Sequence, residues 1–139
     1  MYKHRKVFNG NALSIADFYG FHSGSIKPGG DIPFPSNGPS LGRDITRLNS
    51  TTFRLRSIGT YQVQFTVNIE DSKQLVLTLN NEELPESVTG ATGLLLFTTT
   101  IEDTSLTVRN PQSSFTPIHF STHPGYSPVA SHLLLTRID

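Results

Sequence analysis

From Ala16 onward the apolar positions recur at every second residue. The clearest run is Tyr61, Val63, Phe65, Val67 and Ile69, each separated from the next by a polar residue. That alternation is the signature of a strand with one buried face. Leu75, Leu77 and Leu79 repeat it, and Asn80-Asn81 follows. Asn tolerates the left-handed backbone of a tight hairpin, so a returning strand is expected over residues 84–88. Shorter strands are predicted at residues 17–22, at Phe53-Arg54-Leu55 and at Leu106-Thr107-Val108. Between Gly24 and Gly42 the chain is crowded with Pro and Gly. Only Ile32-Pro33-Phe34 reads as extended there, and its prolines would confine it to a sheet edge. No segment shows apolar residues at helical spacing between caps. The pattern predicts an all-β sandwich of about eight to ten short strands.

Two strands differ in kind. Leu94-Leu95-Leu96-Phe97 and Leu133-Leu134-Leu135 are apolar at consecutive positions, so both faces of the pleat carry hydrophobic side chains. Strands of that type are covered on both sides. One face can pack across a sandwich, whereas the other would form an exposed apolar patch that marks an interaction surface. Self-association is the expected solution. Tyr61, Phe65, Leu94, Leu95, Leu96, Phe97, Leu133, Leu134 and Leu135 are the candidates for core or intersubunit packing, and the sequence leaves open which face meets a partner.

Composition narrows the function. The chain has 139 residues, the size of one domain. Eleven Lys and Arg balance eleven Asp and Glu, which argues against nucleic acid or an anionic membrane recruited by bulk charge. There is no Cys, hence no disulfide framework, thiolate metal site or catalytic thiol. No apolar stretch approaches the ~18 residues of a membrane span, so no membrane insertion is expected. The basic residues Lys3 to Lys6 lead into Val7-Phe8-Asn9-Gly10-Asn11, which lacks the apolar run of a classical signal peptide. Residues 1–15 read as an N-terminal arm with Tyr2, Lys3, Arg5, Val7 and Phe8 as attachment candidates. Residues 16–139 form the domain.

Catalytic chemistry finds little support. His119 and His123 have the spacing of a metal pair, but Pro117 and Pro124 argue against a helix there. In an extended segment the two rings would lie about 13 Å apart. The acidic pairs Glu70-Asp71, Glu82-Glu83 and Glu102-Asp103 lack the alternating oxygen ligands of a calcium loop and read as solvated turn charges. No Gly-x-Ser-x-Gly elbow or phosphate loop is present. Asn49-Ser50-Thr51 meets the glycosylation sequon, expected to be silent without a secretory signal. Neither enzyme activity, nor a metal, nor a cofactor is expected.

Certain residues carry a family resemblance. Phe53-Arg54-Leu55 followed by Gly59-Thr60-Tyr61-Gln62-Val63-Gln64-Phe65 resembles the central strands of the trimeric jelly rolls shared by complement C-one-q heads and tumour necrosis factor. Ile45-Thr46-Arg47-Leu48, the stretch from Leu75 to Pro85, Leu106-Thr107-Val108-Arg109-Asn110-Pro111 and Pro128 to Leu133 are similar to the C-terminal globular domains of collagen-like glycoproteins on bacterial spores. The resemblance spans about residues 16–139. It implies a ten-stranded jelly roll that forms a homotrimer, with Leu94–Phe97 and Leu133–Leu135 lining the threefold axis and His132 beside it. Three imidazoles at such an axis can hold an anion, a water or a metal, or simply pack; a structural histidine is the expected reading, with pH-dependent trimer stability as one consequence.

The implied role is structural. A trimeric adhesive knob would be attached through its arm to a spore surface layer (exosporium) or an appendage fibre. Family members usually carry a collagen-like stalk before this domain, and here the first strand begins close to Met1. The alternative is a receptor- or glycan-binding head of a virus or phage fibre, with Phe115, His123 and Tyr126 on its ligand surface.

Overall fold

The computed structural model describes residues 13–21, 24–70, 73–121 and 130–139. The arm candidates Tyr2, Lys3, Arg5, Val7 and Phe8, and the loop candidates His123 and Tyr126, lie outside the described residues.

Twelve strands are described: β1 (Ser14–Phe21), β2 (Ser25–Ile26), β3 (Ser36–Leu41), β4 (Ile45–Arg47), β5 (Phe53–Leu55), β6 (Thr60–Thr66), β7 (Val76–Leu79), β8 (Glu82–Glu83), β9 (Thr92–Thr98), β10 (Thr104–Arg109), β11 (Ile118–His119) and β12 (Ala130–Arg137). Ten of them form two five-stranded antiparallel sheets, ordered β3-β1-β12-β6-β9 and β4-β5-β10-β7-β8, while β2 and β11 pair by themselves. The chain passes from β6 to β7, from β8 to β9, from β9 to β10 and finally to β12, changing sheet each time. That wiring is a jelly roll, as expected.

The period-two pattern does what it predicts. Along β6, Tyr61, Val63 and Phe65 point inward and are buried, while Gln64 and Thr66 are exposed. Across the gap, Phe53 and Leu55 of β5, Leu77 of β7 and Leu106 and Val108 of β10 close the same core. Phe53 sits at its centre, with ring centroids 4.3 Å from Phe18 and 6.3 Å from Phe34. Arg47 caps this aromatic group at the sandwich edge, its guanidinium 5.0 Å from the Phe18 centroid and 5.2 Å from that of Phe53. Gly93 is demanded by close approach: a Cβ there would stand 2.5 Å from the Phe65 ring.

The structure also corrects the pattern in three places. β1 begins at Ser14, with Ser14 and Ile15 opposite Arg137 and Thr136, so the first strand starts before residue 16. The Pro/Gly-rich stretch contains β3, which holds Gly38 and Pro39, as well as the short β2. Lying at the edge of its sheet, β3 can lack ladder donors without cost to a neighbour. Ile32 and Phe34, by contrast, are fully buried but belong to no strand. The return after Asn80-Asn81 is immediate. Both asparagines are left-handed, with φ of 51° and 68°, β8 occupies Glu82–Glu83, and Pro85–Ser87 then form a 3₁₀ turn in place of the expected strand over 84–88.

A polar latch holds the two sheets in register at one end. Asp44, just before β4, accepts hydrogen bonds from Ser57 (2.5 Å), Ser14 (2.7 Å) and Arg137 (3.3 Å). It thereby links β1 and β12 to the loop after β5. Burial raises the Asp44 pKa, but the Ser57, Ser14 and Arg137 hydrogen bonds and the Arg137 charge outweigh it, so the carboxyl is held below its ordinary value of 3.8. A depressed carboxylate stabilises the fold above its unfolded pKa and loses that contribution as pH falls through the folded value. Asp44→Asn is therefore expected to be less stable than wild type at pH 7 by about 1–3 kcal/mol. In urea titrations the gap should close as pH falls below 3.8; a gap constant down to pH 2 would contradict the latch.

Candidate functional site

Both doubly apolar strands belong to the same sheet, separated only by β6. Register then sorts their side chains. The inward rungs are Phe18–Leu133–Phe65–Gly93 and Ala16–Leu135–Val63–Leu95. Leu133 and Leu135 are fully buried, and Leu95 and Phe97 pack against the core, with Phe97 stacked 5.9 Å from Tyr61. The outward rungs run Ile15–Thr136–Gln62–Leu96, Asp17–Leu134–Gln64–Leu94 and Tyr19–His132–Thr66–Thr92. Of the nine core-or-interface candidates, Leu94, Leu96 and Leu134 face outward. The other six serve the core.

On the outward face Leu134 at the centre is half-buried, while both edges are open. Leu94 is 65% and Leu96 58% exposed, and Leu41 and Phe21 on the flanking strands are 67% and 59% exposed. On the opposite sheet the outward residues of β7 and β10, Val76, Thr78, Thr107 and Arg109, are all buried within the same chain, while Thr46 and Arg54 on β4 and β5 are not. Arg109 pairs with Asp31 at 2.8 Å and bonds Asn81 at 2.6 Å, while the backbone N–H of Gln112 donates to Glu83 at 2.7 Å. Residues 30–32 pair edge-on with β10 through Ile32 N–H to the Val108 carbonyl and Asn110 N–H to the Gly30 carbonyl, and the Thr78 and Thr107 hydroxyls bond each other on the outer side. No such latch among the described residues crosses the β12–β6–β9 face.

His132 stands on this face, its ring stacked 5.7 Å from that of Tyr19 and its Nδ1 3.6 Å from the Asp17 carboxylate. The latter contact is an ion pair only when the imidazole is protonated. Tyr19 in turn meets Phe21 edge-on at 6.2 Å. Asp17, Tyr19 and Phe21 are not among the sequence-derived site residues. Their alternation was visible, but nothing in it indicates that β1 lies beside β12.

Ser131, on the inward side of β12, is fully buried, and its hydroxyl has no hydrogen-bond partner among the described residues. Ser131→Ala is expected to hold or raise stability, by up to about 1 kcal/mol, because it removes an unsatisfied polar atom. A loss larger than that in urea denaturation would show that the hydroxyl has a partner.

The other candidates separate. His119 is exposed on β11, and Phe115 is 98% exposed on the loop between β10 and β11. Two of the acidic pairs have structural partners: Glu83 holds Gln112, and Asp103 pairs with Arg54 at 2.7 Å. Asn49 of the sequon accepts bonds from the backbone N–H groups of Thr51 and Thr52, closing a turn. Among the described residues, no three His, Asp or Glu gather as a metal site would require, and no helix is long and apolar enough to cross a membrane.

The globular domain of zebrafish complement 1qA protein superposes on this chain with a TM-score of 0.58, covering 89% of this chain and 95% of that one at 10% sequence identity. A crystal structure of pika GITRL gives a TM-score of 0.46, with coverage of 91% and 96%, also at 10% identity. At such identity the first likeness establishes the fold and nothing finer. No family model matches the chain. No curated protein matches it. The narrower resemblance to globular domains of spore-surface glycoproteins therefore gains no support from these comparisons.

Proposed function

We propose that the chain is a structural module that assembles as a homotrimer through the outward face of the β3-β1-β12-β6-β9 sheet. The observation that carries this reading is the contrast between the two sheets. On the second sheet the outward residues of β7 and β10 are buried within the chain, while on the first sheet Leu94 and Leu96 are left more than half exposed. A ring of three copies, each meeting the next in the same way, closes on itself and removes those side chains from water. The two sequence strands singled out by resemblance as axis-lining both contribute to this face, which supports a trimer over a dimer. The third outward rung would bring the Asp17–Tyr19–His132 cluster into the same contact.

In this reading the function is mechanical and adhesive: a compact knob displayed on a surface, held by its N-terminal arm. A spore surface layer or an appendage fibre is the proposed location, resting on the sequence resemblance alone. No substrate is turned over, and neither a metal nor a cofactor is required.

Because the chain has no Cys, a single introduced thiol reports on the face directly. Leu94 and Ile101 are both over half exposed in one chain, at 65% and 53%. In the assembled protein the thiol introduced by Leu94→Cys is expected to react with a maleimide at least tenfold more slowly than that introduced by Ile101→Cys. Equal rates would contradict the assembly face.

A further inference from the structure

Away from the assembly face, the loop between β10 and β11 presents a different feature. Phe115 is 98% exposed, the most exposed large apolar side chain among the described residues. An aromatic ring in that state is ordinarily a sign of a frayed loop. Here the loop is pinned. Ser114 N–H donates to the Pro111 carbonyl (3.0 Å), and the Ser114 hydroxyl to the Thr116 carbonyl (3.0 Å). The Lys73 ammonium donates to the Thr116 hydroxyl at 2.8 Å. The buried Asn110 amide, at the loop's base, donates to the Thr116 and Ile26 carbonyls. Phe115 is thus held out by its neighbours on both sides, and the ordering cost of presenting it is met before any ligand arrives.

Beside the ring lies an open depression of about 420 Å3, bordered by Lys73, Gln74, Ser113 and Ser114. Its chemistry is selective. An enclosed apolar pocket would suit a small hydrophobic ligand, but this one is open and mostly polar. A protein hot spot would cluster several apolar anchors in a desolvated patch, but here Phe115 has only Pro111 for apolar company, among hydroxyls and an amide. A single cation, already bonded to Thr116, is a poor basis for an anion site. What remains is a ligand with an apolar face for one ring and an edge of groups that both donate and accept. Ser hydroxyls and the Gln amide match such groups in kind.

We propose that the loop from Pro111 to Thr116 is a binding platform for neutral carbohydrate, with a pyranose C–H face on the Phe115 ring and its hydroxyls directed to Gln74 and Ser113. The platform is separate from the assembly face, so it stands whether or not the chain is a trimer.

The test uses the full chain on a printed array of neutral glucan, galactan and mannan oligosaccharides, with Phe115→Ala and Phe115→Trp alongside. Since Phe115 is exposed, both variants should melt with the wild type, which thermal denaturation checks. The expected result is binding to at least one neutral oligosaccharide, weakened at least tenfold by Phe115→Ala and retained by Phe115→Trp. An array without signal for the wild type would overturn the proposal, as would binding that Phe115→Ala leaves unchanged. Phe115-dependent binding confined to acidic glycans or to a protein would overturn the ligand class.

Discussion

Leu134→Lys is expected to yield a folded monomer, whereas Leu135→Asp, one residue further along the same strand, is expected to yield no folded protein. Leu135 is fully buried between Ala16 and Val63 in the inward rung. An aspartate there must either leave a carboxylate unpaired in the core or become protonated at a large cost. Either exceeds about 4 kcal/mol, a large share of the 5–15 kcal/mol that holds a domain together. Leu134 faces outward, and its cross-strand neighbour on β1 is Asp17. A lysine there has an opposite charge opposite it within the monomer and solvent above it, so the fold tolerates it. In the proposed trimer the same substitution would bury an ammonium group of each copy in the contact. Leu96→Asp, opposite the neutral Gln62, should behave likewise. Circular dichroism and native mass separate the outcomes: native spectra at monomer mass for the outward variants, loss of spectrum for Leu135→Asp. An outward variant that remains assembled would remove the face from the contact.

The second large effect is expected at Arg109. Its side chain is 10% exposed and that of its ion-pair partner Asp31 is 22% exposed, with 2.8 Å between Nε and Oδ1. Arg109→Ala leaves the half-buried Asp31 without its partner and frees the Asn81 amide oxygen that Nη2 held at 2.6 Å. Breaking a buried pair on one side costs about 3–5 kcal/mol, and the two bonded residues tie the β10 end to the stretch beside it and to the β7–β8 turn. The variant should therefore melt roughly 10 °C lower and expose Val76 and Thr78 to hydrogen exchange. Asn110→Ala, which removes one amide bridging Ile26 and Thr116, should cost less, about 1–3 kcal/mol. A melting temperature within 2 °C of wild type for Arg109→Ala would show that the loops are held by other contacts.

Much of this architecture can be read in the chain before any coordinates. β6 announces itself through Tyr61, Val63 and Phe65, and the Asn80-Asn81 turn through its tolerance of positive φ. Consecutive leucines at 94–96 and 133–135 reveal strands with work on both faces. Which leucine does which job is hidden, because the pleat gives alternation without an origin. Only the pairing of Leu133 with Phe18 and Phe65 fixes Leu134 as outward. β3 stayed hidden because Gly38 and Pro39 carry no apolar alternation, and an edge strand needs none. The Asp44 latch was equally invisible, since Ser14, Ser57 and Arg137 converge on it from positions up to 93 residues away. Phe115 was legible as a loop aromatic, but its rigidity depends on Lys73 and Asn110, which the sequence does not place beside it.

The assembly reading stands on the native mass of the purified chain. Light scattering at micromolar concentration should give about 46 kDa, three times the 15.3 kDa chain. A trimer is likewise expected after removal of residues 1–12, its mass lower by that of the three missing segments, since β1 stays intact from Ser14. A mass of 15.3 kDa for the wild-type chain, with the sheet face bare in solution, would contradict it.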